Sequence, residues 1–260
     1  MTDRTRIEDI VRRDRWLVGG ALGVAVALSW AWLVPMALQL KRDEMMCGVT
    51  SWVDCDTGDL AMLFAMWAVM MAGMMLPSAA PVVLLYACVV RKSPGIDRPA
   101  AHVNGFTWGY LLVWTFFSLA ATALQFIFTQ GLLLSPMMAS QRPVFAGTLL
   151  ILAGTYQLTP WKRACLAHCR SPAEFLTRHW KPGVGGAVHM GGAHGLYCLG
   201  CCWALMLLLF VGGVMNLWWI AALTIFVLLE KLAAFGAQGG RASGLILCAL
   251  GGWILVRSVL

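Results

Sequence analysis

Charge is what this 260-residue sequence has least of: Asp, Glu, Lys and Arg together make up 12% of it, and only 12 residues are acids. Soluble globular domains carry about a quarter charged residues, so that class is excluded. Acids are scarce within the apolar runs, which argues against an ion-coupled pump, since such a pump needs several intramembrane carboxylates. No P-loop and no phosphorylation-type motif occurs, so no nucleotide is expected as a cofactor. Nor is a cleavable signal peptide expected: residues 1–15 are charged, and the first apolar run is followed by Leu38-Gln-Leu-Lys41, with no small-residue cleavage site. The formal net charge of +7 does not call for nucleic acid, because membrane proteins concentrate Lys and Arg on their cytoplasmic side.

What the sequence has in excess is apolar length. Hydrophobic residues make up 60%, mean hydropathy is +0.76, and several runs reach the length needed to span a bilayer. The expected fold is all-α, a polytopic transmembrane helical bundle. Its seven spans fall at about 16–39, 60–90, 104–128, 143–160, 195–213, 216–235 and 243–259. Residues 1–15 form an N-terminal arm, and residues 16–260 a single transmembrane domain with a Cys/His loop at 161–194. Basic residues set the orientation. Five lie in the arm, three in 91–103, five in 161–194 and two in 231–242, against four in the remaining loops and tail. That asymmetry puts the N-terminus and the 161–194 loop in the cytoplasm and the C-terminus outside.

Within this frame, His194-Gly-Leu-Tyr-Cys-Leu-Gly-Cys-Cys-Trp203 places Cys198, Cys201 and Cys202 at i, i+3 and i+4, one turn after His194. Trp161-Lys-Arg-Ala-Cys-Leu-Ala-His-Cys-Arg170 repeats the spacing with Cys165, His168 and Cys169. Both clusters fall on the cytoplasmic side. Soft sulfur and imidazole donors so grouped suit Cu(I) first and Zn(II) second, and the surrounding Lys162, Arg163 and Arg170 are expected to lower the thiol pKa values. The alternative is that small thiols merely pack between helices. Ser171-Pro-Ala-Glu174 reads as the capped start of a short surface helix over 172–181 that carries a solvated or headgroup-facing His179. The glycines from Gly183 to Gly195 read as a flexible connector.

Three further features bear on metal handling. The second span carries Met66, Met70, Met71, Met74 and Met75, either a soft-metal face or a pliant packing surface. Cys47 and Cys55, in an acidic extracytoplasmic loop, are spaced to form a disulfide. Glu230, near the end of the sixth span, reads as an ion-pair anchor or as a group behind the metal ligands.

Three blocks, Met70-Met-Ala-Gly-Met-Met-Leu-Pro-Ser78, Tyr156 to Arg170 and His194 to Met206, resemble the signature blocks of the bacterial domain-of-unknown-function family DUF2182, over roughly residues 60–235. Its members are described as predicted metal-binding integral membrane proteins. The resemblance implies a multi-pass protein of the bacterial inner membrane with a metal site and no established reaction. Sequence and resemblance together point to a copper-handling protein (transport, delivery, or an accessory subunit of a metalloenzyme), more a binding protein than an enzyme. Its partners would be the lipid bilayer and a metalloprotein or metallochaperone, and self-association is permitted. Two other readings stand beside it: a membrane thiol–disulfide oxidoreductase using Cys198 and Cys201, and a structural subunit without chemistry.

Overall fold

The computed structural model describes residues 2–40, 57–131, 134, 142–233 and 236–259. Cys47 and Cys55 lie outside the described residues. Among those described, the chain is ten helices: α1 (Thr2–Leu40), α2 (Thr57–Lys92), α3 (Pro99–Gln130), α4 (Pro143–Leu158), α5 (Pro160–Arg170), α6 (Pro172–His179), α7 (Gly183–Leu207), α8 (Leu209–Gly212), α9 (Leu217–Leu232) and α10 (Gly236–Val259). Five stretches are long and apolar enough to cross a membrane: Trp16–Leu38, Gly58–Lys92, Pro99–Gln130, Gly183–Gly212 and Gln238–Ser258. The sixteen-residue α4 and α9 rise only about 24 Å, less than the roughly 30 Å of a hydrocarbon core.

The largest departure from expectation is at Gly183–Gly195, which is the first half of α7 and no flexible connector. Glycine is a poor helix former in isolation, but here it removes side chains from a crossing with α3. A Cβ at Gly109 or Gly191 would run into the backbone carbonyl of Val188 or Phe106 respectively, and one at Gly195 would meet Val113 Cβ at 3.0 Å. Gly105 and Gly109 on α3 thus seat Val184 and Val188 of α7, while Gly191 and Gly195 on α7 seat Phe106, Tyr110 and Val113 of α3, each glycine pair at four-residue spacing. Close approach lets the two main chains pack directly, and that packing outweighs the entropy glycine loses. Glycines serve α4 and α10 in the same way, Gly154 against Gly244 and Gly147 against Gly251.

Between α4 and α7 the chain makes two short helices, each beginning with a proline at its first turn, Pro160 and Pro172. Thr159 caps α5, its hydroxyl accepting from the Lys162 N–H. Ser171 precedes α6 as expected from the sequence but makes no side-chain cap bond, and the helix ends at His179 instead of residue 181. Lys162, Leu166, Phe175 and Leu176 turn inward, so this pair of helices lies against the bundle with α5 beside α7.

Candidate metal centre

The thiol centre is assembled from α5, α7 and α9, with α2 and α3 closing it. On α7, Cys198, Cys201 and Cys202 are each 1% exposed. The thiols of Cys201 and Cys202 both donate to the Cys198 carbonyl, at 3.0 Å each, as expected for residues three and four positions on. From α5, Cys169 stands beside Cys198 and Cys201, whose sulfurs act on its titration, and Cys202 is a neighbour of the same two. Four cysteines from two helices are therefore neighbours. Cys165 lies one turn back, where a Cβ on Gly200 would come 2.7 Å from its sulfur. Gly200 thus lets α5 approach, and the Tyr156 hydroxyl holds the same turn by donating to the Gly200 carbonyl. The seven described cysteines other than Cys47 and Cys55 are all free thiols.

A cation sits among the thiols. Lys231 of α9 is 5% exposed, and its Nζ donates to Cys198 Sγ at 2.9 Å and to Ser78 Oγ at 3.0 Å. The Tyr110 hydroxyl lies 3.1 Å from the same sulfur and donates to the Met75 carbonyl at 3.0 Å. His194 stands near Cys198 and Cys201 and is 2% exposed. Its ring lies against Phe106, Tyr110 and Phe175. Its Nδ1 finds no hydrogen-bond partner among the described residues. A buried nitrogen left so costs on the order of 1–3 kcal/mol, which a ligand would recover.

Outside the spans, the α5 thiols do not behave as the basic run suggested. Burial pushes Cys165 above its usual pKa, and neighbouring Cys201 adds to the effect. Cys169 lies well above its usual range, first because its protonated form hydrogen-bonds the sulfurs of Cys198 and Cys201. Two of the three cations that were to lower these values, Lys162 and Arg170, are engaged elsewhere. Lys162 is 2% exposed and pairs with both Glu230 oxygens at 2.7 Å, while Arg170 donates to the Ala233 carbonyl at 2.8 Å.

The remaining sequence candidates divide. His168 does not join the thiols: its ring stacks on Tyr197, 4.1 Å between centroids and 2° from parallel. Glu230 is held by Lys162, with Gln157 Nε2 at 3.4 Å from its Oε1. Met66, Met70, Met71, Met74 and Met75 are all buried in the core, and of these only Met75 touches the centre's hydrogen bonding, through its backbone carbonyl. Among the described residues no group of three or more His, Cys, Asp or Glu side chains is arranged around a common ion position. Sequence reasoning missed Lys231, Tyr110 and Ser78. For Lys231 the signal was present, an ionisable side chain in an apolar run, weighed for Glu230 and not for its neighbour.

A family model described as PpoB2, copper chaperone, matches residues 64–254. That stretch contains all of α3 to α9 and every side chain of the thiol centre. No curated protein and no solved structure matches.

Proposed function

The chain belongs to the PpoB2 copper chaperone family, and on that footing we propose that it is a multi-pass membrane protein that holds Cu(I) as cargo on its sulfur cluster and delivers it to a metalloprotein. Cys169, Cys198, Cys201 and Cys202 are the thiol donors, with Cys165 and His194 flanking them. The observation that carries this reading is Lys231 Nζ against Cys198 Sγ at 2.9 Å. In a low-dielectric interior, net charge is the main cost. Two thiolates around Cu(I) carry one negative charge, which one buried ammonium cancels. Four thiolates around Zn(II) would leave the same lysine one charge short. The donor set and its counter-ion therefore favour Cu(I) over Zn(II).

We further propose that α4 and α9 complete a seven-span topology, their shortness offset by packing against longer neighbours. The N-terminus and the α5–α6 segment then face the cytoplasm of a bacterial inner membrane, and the C-terminus lies outside. The basic residues of the α5–α6 segment support this orientation. Copper is then taken up or released at the cytoplasmic face.

Anaerobic purification with metal analysis tests the proposal. The intact protein is expected to carry stoichiometric Cu(I) with sulfur scattering in X-ray absorption, lost when Cys198, Cys201 and Cys202 are changed to serine. A metal-free protein with a reducible Cys198–Cys201 disulfide would refute it. A C-terminal reporter active only in the cytoplasm would refute the topology.

A further inference from the structure

His168 was expected among the thiols; the structure instead sets it beside His179, a residue the thiol centre does not use. The two rings come from different helices, α5 and α6, and their centroids are 6.4 Å apart. Each ring is fixed the same way. His168 Nδ1 lies 2.9 Å from the Ala164 carbonyl and His179 Nδ1 3.1 Å from the Phe175 carbonyl. A carbonyl can only accept, so each Nδ1 carries a proton, which leaves Nε2 as the ring nitrogen able to offer a lone pair to a metal. That second bond to a carbonyl is the usual way a metal-binding imidazole is oriented. Aromatic faces complete the clamp: Tyr197 covers His168, and Phe175 stacks on His179 at 4.6 Å. An ion held at about 2 Å by each Nε2 separates two imidazole centroids by about 5–6.5 Å, which brackets the spacing found. His168 also borders a small cavity of about 90 Å³.

The pair's position gives it a role. Phe175, 1% exposed, contacts His179 on one side and the edge of His194 at 5.1 Å on the other. One phenyl ring therefore touches both the partly exposed His179 and the buried His194 of the thiol centre.

We propose that His168 and His179 form a second, two-imidazole Cu(I) site at the surface, through which the ion is exchanged with the buried thiols. The proposal rests on the copper reading of the thiol centre. Imidazole binds Cu(I) less tightly than thiolate, so the surface pair loads and unloads readily while the thiols retain. The ion keeps its oxidation state as it crosses: Cu–N bonds break, Cu–S bonds form, and each thiol that becomes a ligand releases one proton.

The test uses the full-length protein in detergent, with Cu(I) supplied as its bicinchoninate complex. Asparagine places a side-chain N–H where Nδ1 stands and has nothing at Nε2. His168→Asn with His179→Asn therefore keeps a donor for each carbonyl and removes the ligand nitrogens, together with the ring faces stacked on Tyr197 and Phe175. Two results are expected. A Cys169, Cys198, Cys201 and Cys202 to serine variant still binds one Cu(I), with imidazole scattering and no sulfur, and loses it when the asparagines are added. With thiols intact, the asparagine protein reaches wild-type copper content but acquires copper–sulfur absorbance more slowly than wild type. An unchanged rate, or a serine variant without imidazole-bound copper, overturns the surface site while leaving the thiol reading standing. Wild type that shows no copper–sulfur signal at all overturns the thiol reading itself. Should the serine variant not fold, the rate measurement decides alone.

Discussion

Lys231 reaches out of α9 to place its ammonium 2.9 Å from the Cys198 sulfur on α7, joining residues 33 positions apart across the core of the bundle. Replacing it with methionine keeps the bulk and removes the charge. Copper affinity, measured by competition with a Cu(I) chelator, is expected to fall by about 10–100-fold, the usual cost of losing a group that supports metal ligands. The fold is expected to survive, because an uncharged side chain is cheaper to bury. An affinity equal to wild type would remove the lysine from the site.

Position in the cluster ranks the cysteines. Cys169→Ser deletes a sulfur beside both Cys198 and Cys201 and is expected to weaken copper binding more than Cys165→Ser. Cys88→Ser, on a thiol away from the cluster, is expected to leave it unchanged. Chelator competition across the three variants checks the order.

Copper capture by the α5 thiols is expected to be pH-dependent. Cys165 and Cys169 both lie above their usual pKa, so at neutral pH they are protonated, and a thiol must lose its proton to bind metal. Apparent affinity therefore rises as pH rises and falls on acidification. Titrations between about pH 6 and pH 8 should show proton release on Cu(I) addition, reduced in Cys169→Ser. A flat profile would mean that these thiols are not ligands.

At the α3–α7 crossing, Gly191→Ala drives a methyl into the Phe106 carbonyl, whereas Gly192→Ala meets only the Gly109 carbonyl at 3.8 Å. The first is expected to cost roughly 1–3 kcal/mol, as overpacking does. The second should be neutral or gain up to about 0.5–1 kcal/mol, as alanine does over glycine within a helix. Unfolding in detergent compares them.

The Lys162–Glu230 pair is closed off from solvent, at 2% and 4% exposure. Glu230→Gln strands the ammonium and is expected to destabilise by about 3–5 kcal/mol, while Lys162→Met with Glu230→Leu together should recover most of that. If the single and double variants unfold alike, the pair does not hold α5 to α9.

How much of this could be read from the chain depends on how local each feature is. The helical membrane bundle was legible from apolar run lengths. Cys198, Cys201 and Cys202 declared their shared face because that face is set by helical period alone. The meeting with Cys169 was inferred from charge counting, which brings two segments to one side of a membrane but not into contact. His168 was misplaced because residues three and four apart span a wide stripe: Cys165 and Cys169 take its inner part, and Tyr197 draws His168 to its edge. Lys231, Tyr110 and Ser78 come from three other helices, so no local pattern could join them to Cys198. The Gly183–Gly195 stretch misled for a different reason. Its intrinsic preference is for disorder, and only the complementary glycines of α3, some 80 residues earlier, reverse it.

That glycine crossing also divides the metal centre mechanically. Main chain approaches main chain at Gly109 and Gly191, with only valine side chains beside them, and the α3–α7 pair so joined carries Tyr110, His194, Cys198, Cys201 and Cys202. Cys165 and Cys169 come instead from the short α5, bounded by Thr159-Pro160 and Ser171-Pro172 and tied to α9 by Lys162 and to Ala233 by Arg170. The cysteines of the candidate centre are thus divided between a long apolar helix and a short one held by the Lys162–Glu230 ion pair, so a change that loosens that pair acts on Cys165 and Cys169 first.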